Sequence, residues 1–195
     1  MKRIAIFASG SGSNFQAIVD ACQEGLLDAE PALLICDKPG AYAIERAERA
    51  GIPAVAFVPR EYPNKAAYEN AVLQQLQVHR IDFIVLAGYM RLIGPTLLSA
   101  YKGRIVNIHP SLLPAFPGLD AIGQALEYGV KVTGITIHFV DEGMDTGPII
   151  AQVPIEVAAG DTRESLQKKI HDIEHIFYPK TLHQLFSIKG EKITR

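Results

Sequence analysis

The chain has 195 residues, 48% of them hydrophobic and 21% charged, with a formal net charge of -2 at pH 7. That is enough chain for one ordinary domain with a full core, and the composition is globular rather than disordered or fibrous. The near-neutral charge excludes a general attraction to nucleic acid, so an anionic ligand must be held by a few placed donors.

The opening apolar run stops at Ala8 and enters a Gly/Ser turn, too short for the core of a secretory signal. No stretch approaches the ~20 apolar residues of a membrane span. Cys22 and Cys36 form no CxxC pair and read as two buried thiols in a reducing compartment. The expected location is the cytoplasm.

In chain order, Arg3 to Ala8 reads as a strand, followed by a Gly/Ser turn and a helix from about Phe15 to Glu24. Ala32 to Cys36 is a second strand, Ala41 to Ala50 a helix stopped by Gly51, and Ala54 to Val58 a third strand. Lys65 to His79 follows as a helix, with Ala67, Ala71 and Leu76 among its apolar positions. Phe83 to Ala87 and Ile105 to Ile108 are the fourth and fifth strands. Nearly continuous apolar strands that alternate with helices predict a parallel sheet covered on both faces. The expected fold is therefore α/β, an open doubly wound sheet with right-handed crossovers. Val132 to Val140 and Pro148 to Glu156 are joined by a link too short for a crossover, which predicts a C-terminal antiparallel hairpin. Thr162 to Phe186 reads as a closing helix, broken around Pro179. No repeat or linker interrupts the chain, so a single domain over 1–195 is expected.

Four segments carry chemistry. Ser9-Gly10-Ser11-Gly12-Ser13-Asn14 follows a strand and opens a helix, where free N–H groups can hold a phosphate. No GK[ST] follows, and Phe15 stands where a dinucleotide fingerprint needs its third glycine. The competing reading is an ordinary βα turn with a Ser or Asn cap. Asn107 and His109 end the fifth strand two residues apart, so they point the same way. An amide and an imidazole on one face can stabilise an oxyanion and handle a proton; the alternative is a capped turn with a structural histidine. The loop Asp141 to Gly147 is either a solvated acidic turn or the source of a carboxylate that reaches a histidine. Its spacing does not match a calcium loop. Finally, His171-Asp172-Ile173-Glu174-His175 matches an inverted zinc-peptidase pattern. A third ligand is lacking except for Glu191, so no metal is expected. His79 and His183 read as surface residues, and His138 faces either the core or the pocket.

Together, ASGSGSNFQAI, LAGYMRLIG, NIHPSLLPAFPG and GITIHFVDEGMDTGPII resemble the phosphoribosylglycinamide formyltransferase family, from Ile4 to about Pro179. Asn-x-His-Pro-Ser with a later Asp marks the wider formyl-folate group. The resemblance implies formyl transfer from 10-formyltetrahydrofolate, as co-substrate, to the amine of phosphoribosylglycinamide, without metal. It implies Asn107, His109 and Asp145 as catalytic residues, and Gly12, Ser13, Asn14 and Glu174 as contacts to the phosphorylated substrate. For the folate it implies Met90, Arg91, Leu92, Ile93 and Asn107, with the 141–145 loop. Lys65 stands where some members carry an arginine that contacts the folate, and a lysine there lacks the planar fork. The implied partners are small molecules, with no nucleic acid or membrane, and the chain would act as a monomer or homodimer. A methionyl-tRNA formyltransferase normally adds a C-terminal RNA-binding domain, and a formyl-folate hydrolase a longer N-terminus. A phosphate-binding module without catalysis would leave Asn107 and His109 unexplained.

Overall fold

In β1 (Lys2–Ala8), Ile4 and Ile6 belong to one apolar cluster and Ala5 and Phe7 to another, and all four are fully buried. A strand that is apolar on both faces has to lie inside a sheet covered on both sides. The structure, a computed structural model, describes residues 1–187, and β1 is an inner strand, third in order, of a seven-stranded sheet. The other strands are β2 (Ala29–Cys36), β3 (Ala54–Ala56), β4 (Phe83–Leu86), β5 (Ile105–His109), β6 (Val132–Phe139) and β7 (Ile149–Glu156). Their order is β3-β2-β1-β4-β5-β6-β7. The first five run parallel; β6 is antiparallel to β5, and β7 to β6.

One face carries α1 (Ser13–Gln23), α2 (Tyr42–Arg49), α5 (Ala121–Tyr128) and α6 (Arg163–Ser187). The other carries α3 (Lys65–Val78) and α4 (Pro95–Ala100). The expected open α/β sheet with its C-terminal antiparallel hairpin is therefore the observed one. Among the described residues, no helix is long and apolar enough to cross a membrane.

Several local expectations change. α6 is a single helix that continues through Pro179 instead of breaking there. Residues on both sides of the proline are anchored: Tyr178 and Leu182 are fully buried, and the Tyr178 hydroxyl donates to Leu86 O at 2.9 Å. That packing offsets the hydrogen bond that proline cannot make. β3 stops at Ala56 rather than Val58, because it is an edge strand and the chain turns into a 3-10 turn at Pro59–Glu61. α4 and α5 were not expected at all. α4 has six residues and buries Leu97, while α5 buries the small Ala121 and Ala125, so neither shows a strong apolar stripe. The terminal signals were nonetheless present: Gly94-Pro95 opens α4, and Asp120 and Gly129 bracket α5. Residues 188–195 of the expected domain lie outside the described residues.

Candidate active site

After β1 the chain crosses to β2 on one side, and after β3 it returns to β4 on the other side of β1. The crevice beyond the carboxyl ends of β1 and β4 is thus the place where an open α/β sheet binds ligands. Two loops meet there. Ser9 N donates to Gly88 O at 3.1 Å, and Met90 N donates to Ser9 Oγ at 2.9 Å. Gly12 takes φ 70 at the start of α1, and a Cβ there would lie 2.7 Å from Ala43 Cβ. Both the turn and the close approach of α2 therefore require glycine. Ser13, Asn14 and Glu174 line one hollow with this turn, and His171 joins them. Asn14 Nδ2 donates to Glu174 Oε2 at 2.8 Å, while its buried Oδ1 has no hydrogen-bond partner. Burial pushes the Glu174 carboxyl up to about 7, against the lowering effect of the Asn14 hydrogen bond.

The second half of the site is built by strand register. Asn107 lies opposite His138, and His109 opposite Thr136, across the β5–β6 pair. Cross-strand neighbours touch, and Asn107 Nδ2 lies 3.3 Å from His138 Nε2. His138 Nδ1 donates to Phe139 O at 2.8 Å, so its Nε2 is free to accept from Asn107. That leaves the second amide hydrogen of Asn107 for the cleft. A register shift between Ile137 and His138 in the β6–β7 pair marks a bulge beside these residues.

Asp145 enters from the β6–β7 loop in the left-handed region, at φ 58. Its Oδ2 lies 3.4 Å from His109 Nδ1, its Oδ1 3.6 Å from His138 Nε2, and Gly118 N donates to Oδ2 at 2.7 Å. Burial raises the Asp145 carboxyl, but its His138 neighbour, the hydrogen bond from Gly118 N and the nearby His109 ring outweigh it. The group is held below its ordinary range. His109 Nε2 donates to Phe116 O at 2.8 Å. Both ring nitrogens of His109 thus face oxygen atoms, Phe116 O at Nε2 and Asp145 Oδ2 at Nδ1.

The Phe116 carbonyl is held by a buried polar network. Thr136 Oγ1 donates to Ser111 O at 2.7 Å and accepts from Leu113 N at 3.0 Å and Gln152 Nε2 at 2.9 Å. Thr136→Val is expected to destabilise the protein by about 1–3 kcal/mol, because the buried Leu113 N–H and Ser111 carbonyl lose their partner. Thr133 is the control: its buried Oγ1 has no partner, so Thr133→Val should be close to neutral. Denaturant unfolding of both variants checks this, and equal losses would count against the network.

Met90 to Ile93 form one wall of the cleft that holds Asn107, His109 and Asp145. Its volume is about 290 Å³. Met90, Leu92, Leu119 and Met144 are large apolar side chains exposed around its rim. Such clustering marks a binding surface. The wall is anchored from beneath: the Glu69 carboxylate accepts from Gly94 N, and Tyr68 and Tyr89 hydroxyls pair at 2.5 Å. Lys65 lies outside this cleft, in an adjoining groove with Tyr68 and Arg91.

His171 and His175 stack with ring centroids 6.2 Å apart. Among the described residues no group of three His, Cys, Asp or Glu is placed to hold a metal ion, and Glu191 lies outside them. Cys22 and Cys36 are free thiols away from the cleft, and burial raises both, Cys22 to about 11. Sequence reasoning left His138 undecided and missed Thr136, Gln152 and Glu69. The signal for His138 was available, since it shares a strand face with Thr136 opposite the Asn107–His109 pair.

The formyl transferase family profile matches residues 2–182. The phosphoribosylglycinamide formyltransferase of Bacillus subtilis (strain 168) is 60% identical, over 98% of this chain and 100% of its own length. The crystal structure of phosphoribosylglycinamide formyltransferase from Bacillus halodurans superposes with a TM-score of 0.94 at 61% identity, covering 98% of each chain. Glycinamide ribonucleotide transformylase 1 from Geobacillus kaustophilus gives 0.93 at 62% identity, over 95% of this chain and 98% of that one. The fold, the paired loops at the sheet's switch point and these likenesses agree: the chain belongs to the formyl transferase family, among the phosphoribosylglycinamide formyltransferases.

Proposed function

We propose that the chain transfers the formyl group of 10-formyltetrahydrofolate to the amine of 5'-phosphoribosylglycinamide, in purine synthesis, with release of tetrahydrofolate. The observation that carries this reading is the convergence of Asn107, His109 and Asp145 between an apolar cleft and a glycine turn at a helix N-terminus. The two hollows share Gly88, Met90, Ile108 and Pro110, so two substrates can lie side by side. Proximity of this kind supplies much of a transfer rate.

The apolar wall of Met90, Leu92 and Ile93 suits a flat ring system, with Arg91 for its anionic end. Gly12, Ser13 and Asn14 take the phosphate and ribose, and Glu174 a polar group of the same substrate. The unpartnered Asn14 Oδ1 supports this, because a buried acceptor favours a ligand that donates to it. In the reaction the amine nitrogen bonds to the formyl carbon, and the carbonyl oxygen takes up negative charge. The free amide hydrogen of Asn107 and a ring N–H of His109 stabilise that charge. For this the His109 Nε2–H exchanges the Phe116 carbonyl for the substrate oxygen. Asp145 keeps the ring oriented. The carbon–nitrogen bond to the folate then breaks, and a proton passes from the amine to the folate nitrogen.

The same reading takes 1–195 as one domain that works in the cytoplasm on small molecules, as a monomer or homodimer, without nucleic acid or membrane partners. The test is consumption of 10-formyltetrahydrofolate with and without phosphoribosylglycinamide. Turnover that needs no amine acceptor would point to a hydrolase, and no turnover to a binding module. In the same assay Asn14→Ala is expected to raise KM for the phosphorylated substrate, with folate KM nearly unchanged, as loss of uniform binding requires. An effect on folate alone would remove Asn14 from the phosphate subsite.

A further inference from the structure

The wall of the main cleft, residues 90–93, hangs between two pins. At one end Met90 N donates to Ser9 Oγ at 2.9 Å, which ties the wall to the loop after β1. At the other end Gly94 N donates to the Glu69 carboxylate of α3. Between the pins, Arg91, Leu92 and Ile93 make no main-chain hydrogen bond among the described residues. Glu69 is 2% exposed, and among the described residues no cation lies within ion-pairing distance of it. A carboxylate taken out of water is costly unless hydrogen bonds reach it. Gly94 N supplies the close one; Leu97 N lies 3.5 Å from Oε2, at the limit of a hydrogen bond. The fit is tight, since a Cβ on Gly94 would lie 2.6 Å from both Glu69 Oε1 and Lys65 Cε. Tyr68, on the same turn of α3, braces the wall from a second point. Its hydroxyl lies 2.5 Å from that of Tyr89, and the Arg91 guanidinium sits over its ring, 5.7 Å from the centroid.

We infer that Glu69 is a positioning residue for the formyl donor: its carboxylate fixes the far end of the wall, so that Leu92 and Ile93 are in place before the ring system arrives. The inference rests on the folate reading above. A wall that is ordered in advance spares the ligand the free energy of ordering it. Without the carboxylate, the buried Gly94 N–H loses its partner, and the ordered wall becomes one conformation among several. Apparent affinity then falls in proportion to the ordered fraction. The phosphorylated substrate is affected less. Met90 is the one wall residue that borders its hollow, and Met90 keeps its own bond to Ser9.

The experiment compares wild type, Glu69→Ala, Glu69→Gln and Gly94→Ala. It measures kcat and both KM values in the transfer assay and, independently of turnover, Kd for tetrahydrofolate by calorimetry. Glu69→Ala is expected to weaken tetrahydrofolate binding and raise the donor KM about two- to thirtyfold, the range for residues that act on a ligand through another group. At saturating donor, kcat and the KM for phosphoribosylglycinamide should stay within about twofold of wild type, as loss of donor binding alone requires. Glu69→Gln keeps an oxygen for the Gly94 N–H and should recover most of the affinity. Gly94→Ala reaches the same contact from the other side. Its methyl displaces the flexible ends of Glu69 and Lys65, while φ -101 at residue 94 suits any side chain. It should therefore reproduce the shift, and it decides the matter if Glu69→Ala does not fold. Wild-type affinity in folded Glu69→Ala or in Gly94→Ala overturns the assignment. So does an equal rise in both KM values, which a general loosening of the protein would give. Wild-type protein that binds no tetrahydrofolate overturns the folate reading and this assignment with it; wild-type binding with unshifted variants sinks the positioning role alone.

Discussion

His109→Ala and Asn107→Ala are each expected to lower kcat on the order of 10²–10³-fold, the usual cost of removing one oxyanion donor. The geometry supports equal importance. Asn107 has one amide hydrogen engaged by His138 and the other turned to the cleft, and His109 has Asp145 behind Nδ1 and an exchangeable carbonyl at Nε2. Neither truncation opens the main core, because Asn107 is only half-buried and His109 borders the cleft. Both variants should therefore unfold near the wild-type midpoint, and KM should change much less than kcat. The double variant should lose less than the product of the single losses, since residues that act on one oxyanion are not additive. Near-normal turnover in His109→Ala would remove the imidazole from the mechanism and shift attention to His138, which stands on the other side of Asp145.

How far the chain could be read in advance follows from where its information lies. Ile4 to Phe7 and Leu33 to Cys36 are apolar on both faces, which makes a covered parallel sheet nearly unavoidable, and each turn after such a strand is a ligand position. Asn107 and His109 were legible because a strand places residues two apart on one side. Asp145 was legible only as one acid in a loop of three; what singles it out is tertiary, a left-handed backbone at φ 58 and the N–H of Gly118. Glu174 was masked by a zinc-like pattern, although its partner is Asn14, 160 residues away. Thr136 and Gln152 carried no local sign, because their value lies in holding the 111–116 turn from another strand. α5 was hidden by its small buried alanines, and the continuity of α6 by Pro179, whose cost is met through core contacts no local pattern displays.

Asp145→Asn keeps size and hydrogen-bonding groups but removes the charge, and it should lose turnover at neutral pH. The sign follows from the direction of the carboxyl. It lies below its ordinary range in the folded protein, so it is ionised across the whole working range and protonates only well into acid. The stabilisation it gives is therefore present above the ordinary carboxylate range and is lost as pH falls through the lowered folded value. In wild type, Asp145 Oδ2 lies 3.4 Å from His109 Nδ1 and orients the ring. In Asp145→Asn the charged contact is gone, and an alkaline limb of kcat/KM that depends on it moves toward acid. An acid limb that belongs to the Asp145 carboxyl should vanish in the same variant. His138 faces the other carboxylate oxygen at 3.6 Å, so His138→Gln separates the two histidines: it should leave the alkaline limb where it is if His109 carries the reaction. Glu142→Gln, an exposed neighbour in the same loop, is the control for a general change in loop charge. The measurement is kcat/KM against pH for the four proteins. Superimposable profiles for wild type and Asp145→Asn would make Asp145 a bystander. A shift in Glu142→Gln as large as that in Asp145→Asn would assign the effect to the loop's field rather than to the contact with His109.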